Sequence, residues 1–267
     1  MAELVVENVT KTFQRNPGDD VVTAIADISL RIDDGEFVSI VGPSGCGKST
    51  LFSIVAGLSR ATSGTVALDG RGDDLLGSVG LMPQRDLLMP WKTVLDNTAI
   101  GPRLRGASRQ KARAEADSYF EEFGLSGFQN RWPSELSGGM RQRAALLRTF
   151  LGGQEILLLD EPFGALDALT RRAMQAWLLD VWERHRRTIL FITHDVDEAI
   201  LLSDRVLVMT GRPGTIADDC TIDLPRPRLA SLDLNPQFLE YKRRLLRPLE
   251  TSSRSDASAS EPAGVIR

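Results

Sequence analysis

The sequence predicts an α/β protein: a core of buried strands, β structure ahead of it, and a mostly helical segment inserted within it. Three features carry this prediction. LVVENVT and VVTAIADISLRID show β-branched alternation on either side of the turn-rich NPGDD at 16–20. EFVSIV, EILLLDE, TILFITHD and RVLVMTG are short apolar runs of the kind buried on both faces of a sheet. Between them, from about Thr93 to Gly152, the pattern turns helical, with charged runs such as RLRGASRQKARAEADSYFEEF.

The remaining elements follow in order. STLFSIVAGL after EFVSIV reads as a helix, and GTVALDG and SVGLMPQ as two further strands. Past Leu224, PRPR and NPQF mark a linker, and FLEYKRRLLRPL a short amphipathic helix. The final TSSRSDASASEPAGVIR is small and polar and is expected to be disordered. These shifts divide the chain into a core at 1–92 and 153–224, a helical subdomain at 93–152, an extension at 225–250 and a tail at 251–267.

Composition narrows the class. The 267 residues are 42% apolar and 25% charged, ordinary for a globular protein able to bury a large core. A net charge of −4, from 32 basic and 36 acidic residues, gives no cationic field for nucleic acid. No apolar run approaches a membrane span, and MAELVVENVTKTF lacks the features of a signal peptide. Two cysteines, Cys46 and Cys220, form no disulfide framework or metal cluster, which fits a reducing compartment.

Chemistry concentrates at three places. Gly42, Pro43, Ser44, Gly45, Cys46, Gly47, Lys48 and Ser49, followed by Thr50, fit the phosphate-loop pattern between a strand and a helix. The glycines let backbone N–H groups converge on phosphate oxygens, and the helix start adds its positive dipole end. Lys48 would neutralise the β- and γ-phosphates, and the Ser49 hydroxyl would join a Mg²⁺ shell. The strand ILLLDEP then ends in Asp160, suited to hold Mg²⁺, and Glu161, suited to polarise a water attacking the γ-phosphate. The third place is LSGGM at 136–140. Its helix has Ser137 as N-cap and Gly152-Gly153 as terminator, so it is either a ligand-free amphipathic helix or a second anion loop.

LSGGM resembles the signature loop of ATP-binding cassette (ABC) ATPases, whose common form ends in Gln. Met140 is similar to the branch of bacterial importers for nitrate, sulfonate, taurine and thiamine precursors. The resemblance runs from about Glu3 to Leu224. It implies a P-loop NTPase (RecA-like) core with an N-terminal antiparallel β subdomain and an inserted α-helical subdomain. It also implies ATP and Mg²⁺ as cofactors and two copies packed head to tail, so that Ser137, Gly138 and Gly139 serve the partner's ATP. On the same resemblance Gln84 is the Q-loop residue, reaching Mg²⁺ and the attacking water. Asp167, in Ala165-Leu166-Asp167, belongs to the D-loop crossing the dimer interface. His194 is the switch histidine that orients the water of Glu161, and Phe13 is the aromatic that stacks on adenine. Leu87, Leu88, Met89 and Trp91 match the stretch that docks a membrane permease, though they equally suit the core of the helical insertion.

The function implied is the ATP-hydrolysing subunit of a bacterial importer, on the cytoplasmic face of the membrane. Its partners would be a permease and, indirectly, a solute-binding protein. A soluble ABC ATPase acting on ribosomes or DNA is the alternative, and a small-molecule kinase would leave LSGGM unexplained. Three local expectations complete the reading. Asp195 and Glu198 form a capping box, His185 is a surface helix residue, and a bulky thiol reagent at Cys46 blocks ATP binding.

Overall fold

The computed structural model describes residues 3–14, 16, 20–72, 75–228 and 235–259. Strands β1 (Leu4–Phe13) and β2 (Val22–Ile32) pair antiparallel, with the turn-rich stretch between them. After β3 (Phe37–Val41) and helix α1 (Lys48–Val55), β4 (Ser63–Leu68) returns to the free side of β1. The result is an antiparallel sheet of order β2-β1-β4. Leu4, Val6, Val9, Ile25, Ile28 and Ile32 are buried between this sheet and α1. Fully burying such a side chain is worth about 1.5–3 kcal/mol.

Beyond β5 (Gly80–Met82) come the inserted helices: α2 (Val94–Thr98), α3 (Ile100–Leu104), α4 (Arg109–Ser118) and α5 (Gly138–Phe150), with a 3₁₀ turn at Pro133–Glu135. Thr93 and Ser108 cap α2 and α4 through their hydroxyls, as expected of such residues in extended conformation. Phe120, Phe123, Leu125 and Phe150 fill the space between these helices and the core.

The chain then re-enters the core through β6 (Ile156–Asp160), α6 (Ala168–His185), β7 (Thr188–Thr193), α7 (Val196–Leu202), β8 (Arg205–Thr210) and β9 (Thr215–Thr221). The second sheet has the order β5-β6-β7-β3-β8-β9, parallel except for the antiparallel edge strand β9. Strand β9 had no sequence signature. Its residues TIADDCT bury only Cys220, as suits an edge strand with one face in solvent.

Helix α8 (Pro236–Ala259) departs from the expected short extension. It buries Phe238 and Leu245 against α7, β8 and β9, and Lys242 and Arg244 pair with Asp197 and Asp218. It passes through Pro248 and does not stop at 250, so 251–259 are helical where a disordered tail was expected. A helix anchored by its packed first half extends at little cost through Ser and Ala, because propagation is far easier than nucleation. Residues 260–267 of that tail lie outside the described residues.

His185 is also a correction. It does not sit on a free surface: its Nε2 lies 2.8 Å from Glu122 Oε1 and its ring meets Phe150 edge-on at 4.8 Å. It therefore joins α6 to the inserted helices.

The PRPR segment is a strap whose last residue is buried. Arg228 is buried and donates to the carbonyl oxygens of Ile200, Ser203, Ile222 and Leu224, closing the end of α7 onto the end of β9. Burial pushes its pKa down to about 10. Arg228→Ala strands these acceptors, so urea unfolding should show a loss of about 2–4 kcal/mol with little change in m.

Candidate functional site

The parallel strands end within two residues of one another. Val41 of β3 pairs with Thr193 of β7, Asp160 of β6 with Ile192 of β7, and Met82 of β5 with Leu159 of β6. The residues just beyond these ends are Gly42, His194, Glu161 and Gln84. Four segments remote in sequence thus meet on the carboxyl edge of one sheet, where open α/β sheets bind ligands.

The phosphate loop is pressed against the strands behind it. A Cβ on Gly42 would lie 2.2 Å from the Met209 carbonyl, and one on Gly47 (φ 96°) 2.4 Å from Ile25 Cγ2. Only glycine permits that approach and that backbone. Lys48 is buried, its ammonium donating to the carbonyls of Gly42 (2.8 Å) and Pro43 (2.9 Å). Arg212, which the sequence reading missed, donates to the Ser44 carbonyl at 3.2 Å. Its signal was the MTGRPG turn beyond β8. Ser44, Gly45 and Ser49 remain exposed.

Cys46 faces the other way. It is 1% exposed, and burial pushes its thiol pKa up against the pull of Lys48. A thiol both inaccessible and protonated reacts slowly, so the expected block by thiol reagents does not follow from this fold.

Glu161 is the centre of the cluster. Its Oε2 accepts from Gln84 Nε2 at 3.3 Å and lies 3.2 Å from His194 Nδ1. Its backbone has φ 43°, uncommon for a residue with a Cβ, and its N–H donates to the Ile192 carbonyl at 2.9 Å. The turn out of β6 is thus held in a conformation that directs Glu161 toward the loops of its neighbours. Asp160 is half-buried. Desolvation and the Glu161 carboxylate push its pKa up, partly offset by Lys48. An ionised Asp160 therefore lacks a full counter-charge among its neighbours. A carboxylate, the Ser49 hydroxyl and the Gln84 amide oxygen are hard oxygen donors, the chemistry that would suit Mg²⁺.

Phe13 ends β1 with its ring 48% exposed and the Lys11 ammonium 5.1 Å from its centroid. Its strand partner Val22 is two residues from Ala24, whose carbonyl packs against Gly47.

The signature loop does not touch the phosphate loop, although Gly138 and Gln84 line one open cavity. The atoms nearest the glycines of the phosphate loop come from Met209, Arg212, Ile25 and Ala24. Those nearest Gly138 and Gly139 come from Leu166, Arg141, Thr170 and Met174. Ser137 caps α5 by accepting from the Met140 N–H, and Asp167 caps α6 by accepting from Thr170 N–H. At the H-loop, the expected capping box is half present. Asp195 accepts from the N–H groups of Asp197 and Glu198, but Glu198 turns inward to Thr193 and Gln175.

Two further residues escaped the sequence reading because their partners are distant. Asn97, fully buried, accepts from Met89 N–H and donates to the carbonyls of Met89, Lys92 and Thr93. Arg148 of α5 donates to the carbonyls of Asp86 (2.7 Å) and Leu87 (2.6 Å). Together they pin the segment after Gln84 to the inserted helices. Of the four apolar residues there, Leu88 is buried and Met89 half-buried, whereas Leu87 and Trp91 (72%) are exposed.

A family model described as ABC transporter matches residues 25–164. An ABC transporter ATP-binding protein of Methanocaldococcus jannaschii is 45% identical over 93% of this chain and 91% of its own length. The chain belongs to the ABC transporter family. The cassette is likewise 40% identical to a nitrate import ATP-binding protein of Synechocystis, over 96% of this chain and 99% of that protein. Among solved structures it resembles a dimeric ATP-binding cassette in a post-hydrolysis state with ADP and phosphate. That match has TM-score 0.72 and 31% identity, and covers 83% of this chain and 100% of the other. The cassette is an ATPase of this family. No helix among the described residues is long and apolar enough to cross a membrane.

The electrostatics give a direct test of the acidic pair. Because Asp160 ionises against desolvation and a like charge, Asp160→Asn should raise the stability of the nucleotide-free cassette by about 1 kcal/mol. Thermal melting in EDTA reads this, and the added protection by Mg-ATP should shrink in the same variant.

Proposed function

We propose that this cassette is the ATP-hydrolysing subunit of a bacterial importer, dimerising on ATP to drive a small solute through a separate permease. The solute would be of the nitrate, sulfonate, taurine or pyrimidine-precursor type. The carrying observation is the meeting of Gln84, Glu161 and His194 at the strand ends beside the phosphate loop, while the glycines of the signature loop make no contact with that loop.

In this reading the amides of residues 42–50 and Lys48 hold the phosphates, with Phe13 stacked on the adenine. Ser49, Asp160 and Gln84 would hold Mg²⁺, which would supply positive charge to offset that developing on the phosphates. Glu161 takes a proton from the attacking water, and His194 and Gln84 fix the direction of its carboxylate. Ser137, Gly138 and Gly139 supply a hydroxyl, amides and a helix dipole to the γ-phosphate bound by a second copy, and Asp167 lies at that interface. ATP touches both chains and ADP lacks the contacted group, so closure follows the difference in affinity between the two nucleotides.

The importer assignment, a permease partner, an indirect link to a solute-binding protein and a place on the cytoplasmic face rest on the nitrate-import relative and on exposed Leu87 and Trp91. Solute choice would lie with those partners, since the residues assigned here face nucleotide. A role on ribosomes or DNA gains nothing from a chain of net charge −4.

Glu161→Gln keeps the shape and the hydrogen bond of the side chain but cannot take up a proton. ATP should still bind, kcat should fall by at least about 100-fold, and gel filtration with ATP should show a persistent dimer. Wild-type turnover would refute the assignment. For the permease, Trp91→Arg should leave ATP affinity intact and abolish co-purification with the membrane subunits. Full retention of the complex would place the docking surface elsewhere.

A further inference from the structure

His194 makes its one functional contact through an exposed imidazole, yet the chain on both sides of it is anchored in the core. Thr193, before it, is buried at the end of β7. Asp195, after it, is the N-cap of α7. Between them the loop turns within a single residue, so the placement of the imidazole depends on the backbone of 193–195.

That backbone is held by one carboxylate. Glu198, on the first turn of α7, is buried and accepts from the Thr193 hydroxyl through Oε2. The Thr193 Oγ1 in turn accepts from the Asp195 N–H at 3.0 Å. A hydroxyl has one proton to give. With its oxygen receiving the Asp195 N–H, that proton is committed to Glu198. The other carboxylate oxygen, Oε1, accepts from Gln175 Nε2 of α6 at 2.9 Å, and Gln175 is itself buried. The order is therefore directional: Gln175 amide to Glu198, Thr193 hydroxyl to Glu198, Asp195 amide to Thr193. It brackets His194 from both sides.

Burying a carboxylate costs free energy, and burial does push the Glu198 pKa up. A plain N-cap needs no such group, because Asp195 already accepts the N–H groups of Asp197 and Glu198. The bracket also reaches the rest of the site. Thr193 pairs in register with Val41, the residue before the phosphate loop, and α6 begins at its cap Asp167.

We propose that Glu198, acting through Thr193 and steadied by Gln175, is a positioning residue for hydrolysis that holds His194 at the distance from Glu161 needed to direct its carboxylate. This rests on the role given to His194 above. The effect is on turnover more than on nucleotide binding, because none of the bracket's side-chain hydrogen bonds goes to the phosphate loop or to Phe13. Misplacing a catalytic group by a fraction of an ångström to an ångström costs up to about 100-fold.

The test is steady-state ATPase kinetics on the full chain with Thr193→Val, Thr193→Ser and His194→Ala, and with Thr193→Val added to His194→Ala. Valine keeps the shape of threonine and removes only the hydroxyl, and serine restores the hydroxyl. Thr193→Val should lower kcat about tenfold with KM for ATP changed less than about twofold, and Thr193→Ser should return kcat to near wild type. On the His194→Ala background the valine should cost less than about a further twofold, since the residue being positioned is gone. If His194→Ala turnover falls below detection, ¹H–¹³C spectra of the two histidines serve instead. Glu198→Ala should then shift or broaden the His194 ring signal and leave that of His185 in place. The proposal is overturned if Thr193→Val turns over normally, if serine fails to rescue, if the valine costs as much without His194, or if the His194 signal is unmoved. Wild-type turnover by His194→Ala alone would instead remove the role of His194 itself, a failure visible in that single variant.

Discussion

The register of four parallel strands is the constraint on which the site depends. β3, β5, β6 and β7 are largely buried, so their side chains are mainly apolar, with a buried exception such as Ser39 paired to Ser203, and their backbone groups pair with neighbouring strands. Polar groups open to a ligand then appear where pairing stops. Because Val41, Thr193, Asp160 and Met82 end within two residues of one another, the phosphate loop, His194, Glu161 and Gln84 emerge together at or just beyond the last paired positions. A slip in any one ladder would move its functional residue by more than 3 Å per residue, beyond the reach of a hydrogen bond. The site is in this sense a by-product of how the sheet is aligned.

That explains what could be read in advance. Gly42–Thr50, Asp160 and Glu161 were legible because each lies within a few residues of the strand that positions it, and the apolar run announces the strand. The residues that support them were not. Arg148 reaches across to Asp86 and Leu87, Asn97 folds back onto Met89, and Arg212 reaches Ser44; all are defined by a partner that local periodicity does not name. His185 failed for the same reason: WERHRR reads as a solvated face until Glu122 and Phe150 are brought against it. α8 was misjudged because a weak helix former becomes helical once an anchored turn precedes it.

The inserted helices and the core are joined by contacts of a particular kind. Arg148 and Asn97 bond to backbone carbonyls and not to flexible side chains, so they hold the main chain after Gln84 against α5 and α2. Arg141, on the first turn of α5, adds an ion pair to Asp86 at 3.3 Å. The helix capped by Ser137 is therefore tied to the segment that carries Gln84 at one end and exposed Trp91 at the other.

The two carboxylates at the end of β6 show how the fold divides its costs. Glu161 occupies a left-handed backbone conformation that an ordinary turn would give to glycine or asparagine, and beside it desolvation and Glu161 push the Asp160 pKa up with only partial compensation from Lys48. Neither feature helps the chain fold. Both are tolerated because the strands beneath are buried and paired throughout, which leaves stability to spare at this edge. The same logic accounts for Glu198, a buried carboxylate on the first turn of α7, satisfied by Thr193 and Gln175. At Glu161 and Glu198 alike, the groups that satisfy the carboxylate also fix its direction, so orientation is what the local costs supply.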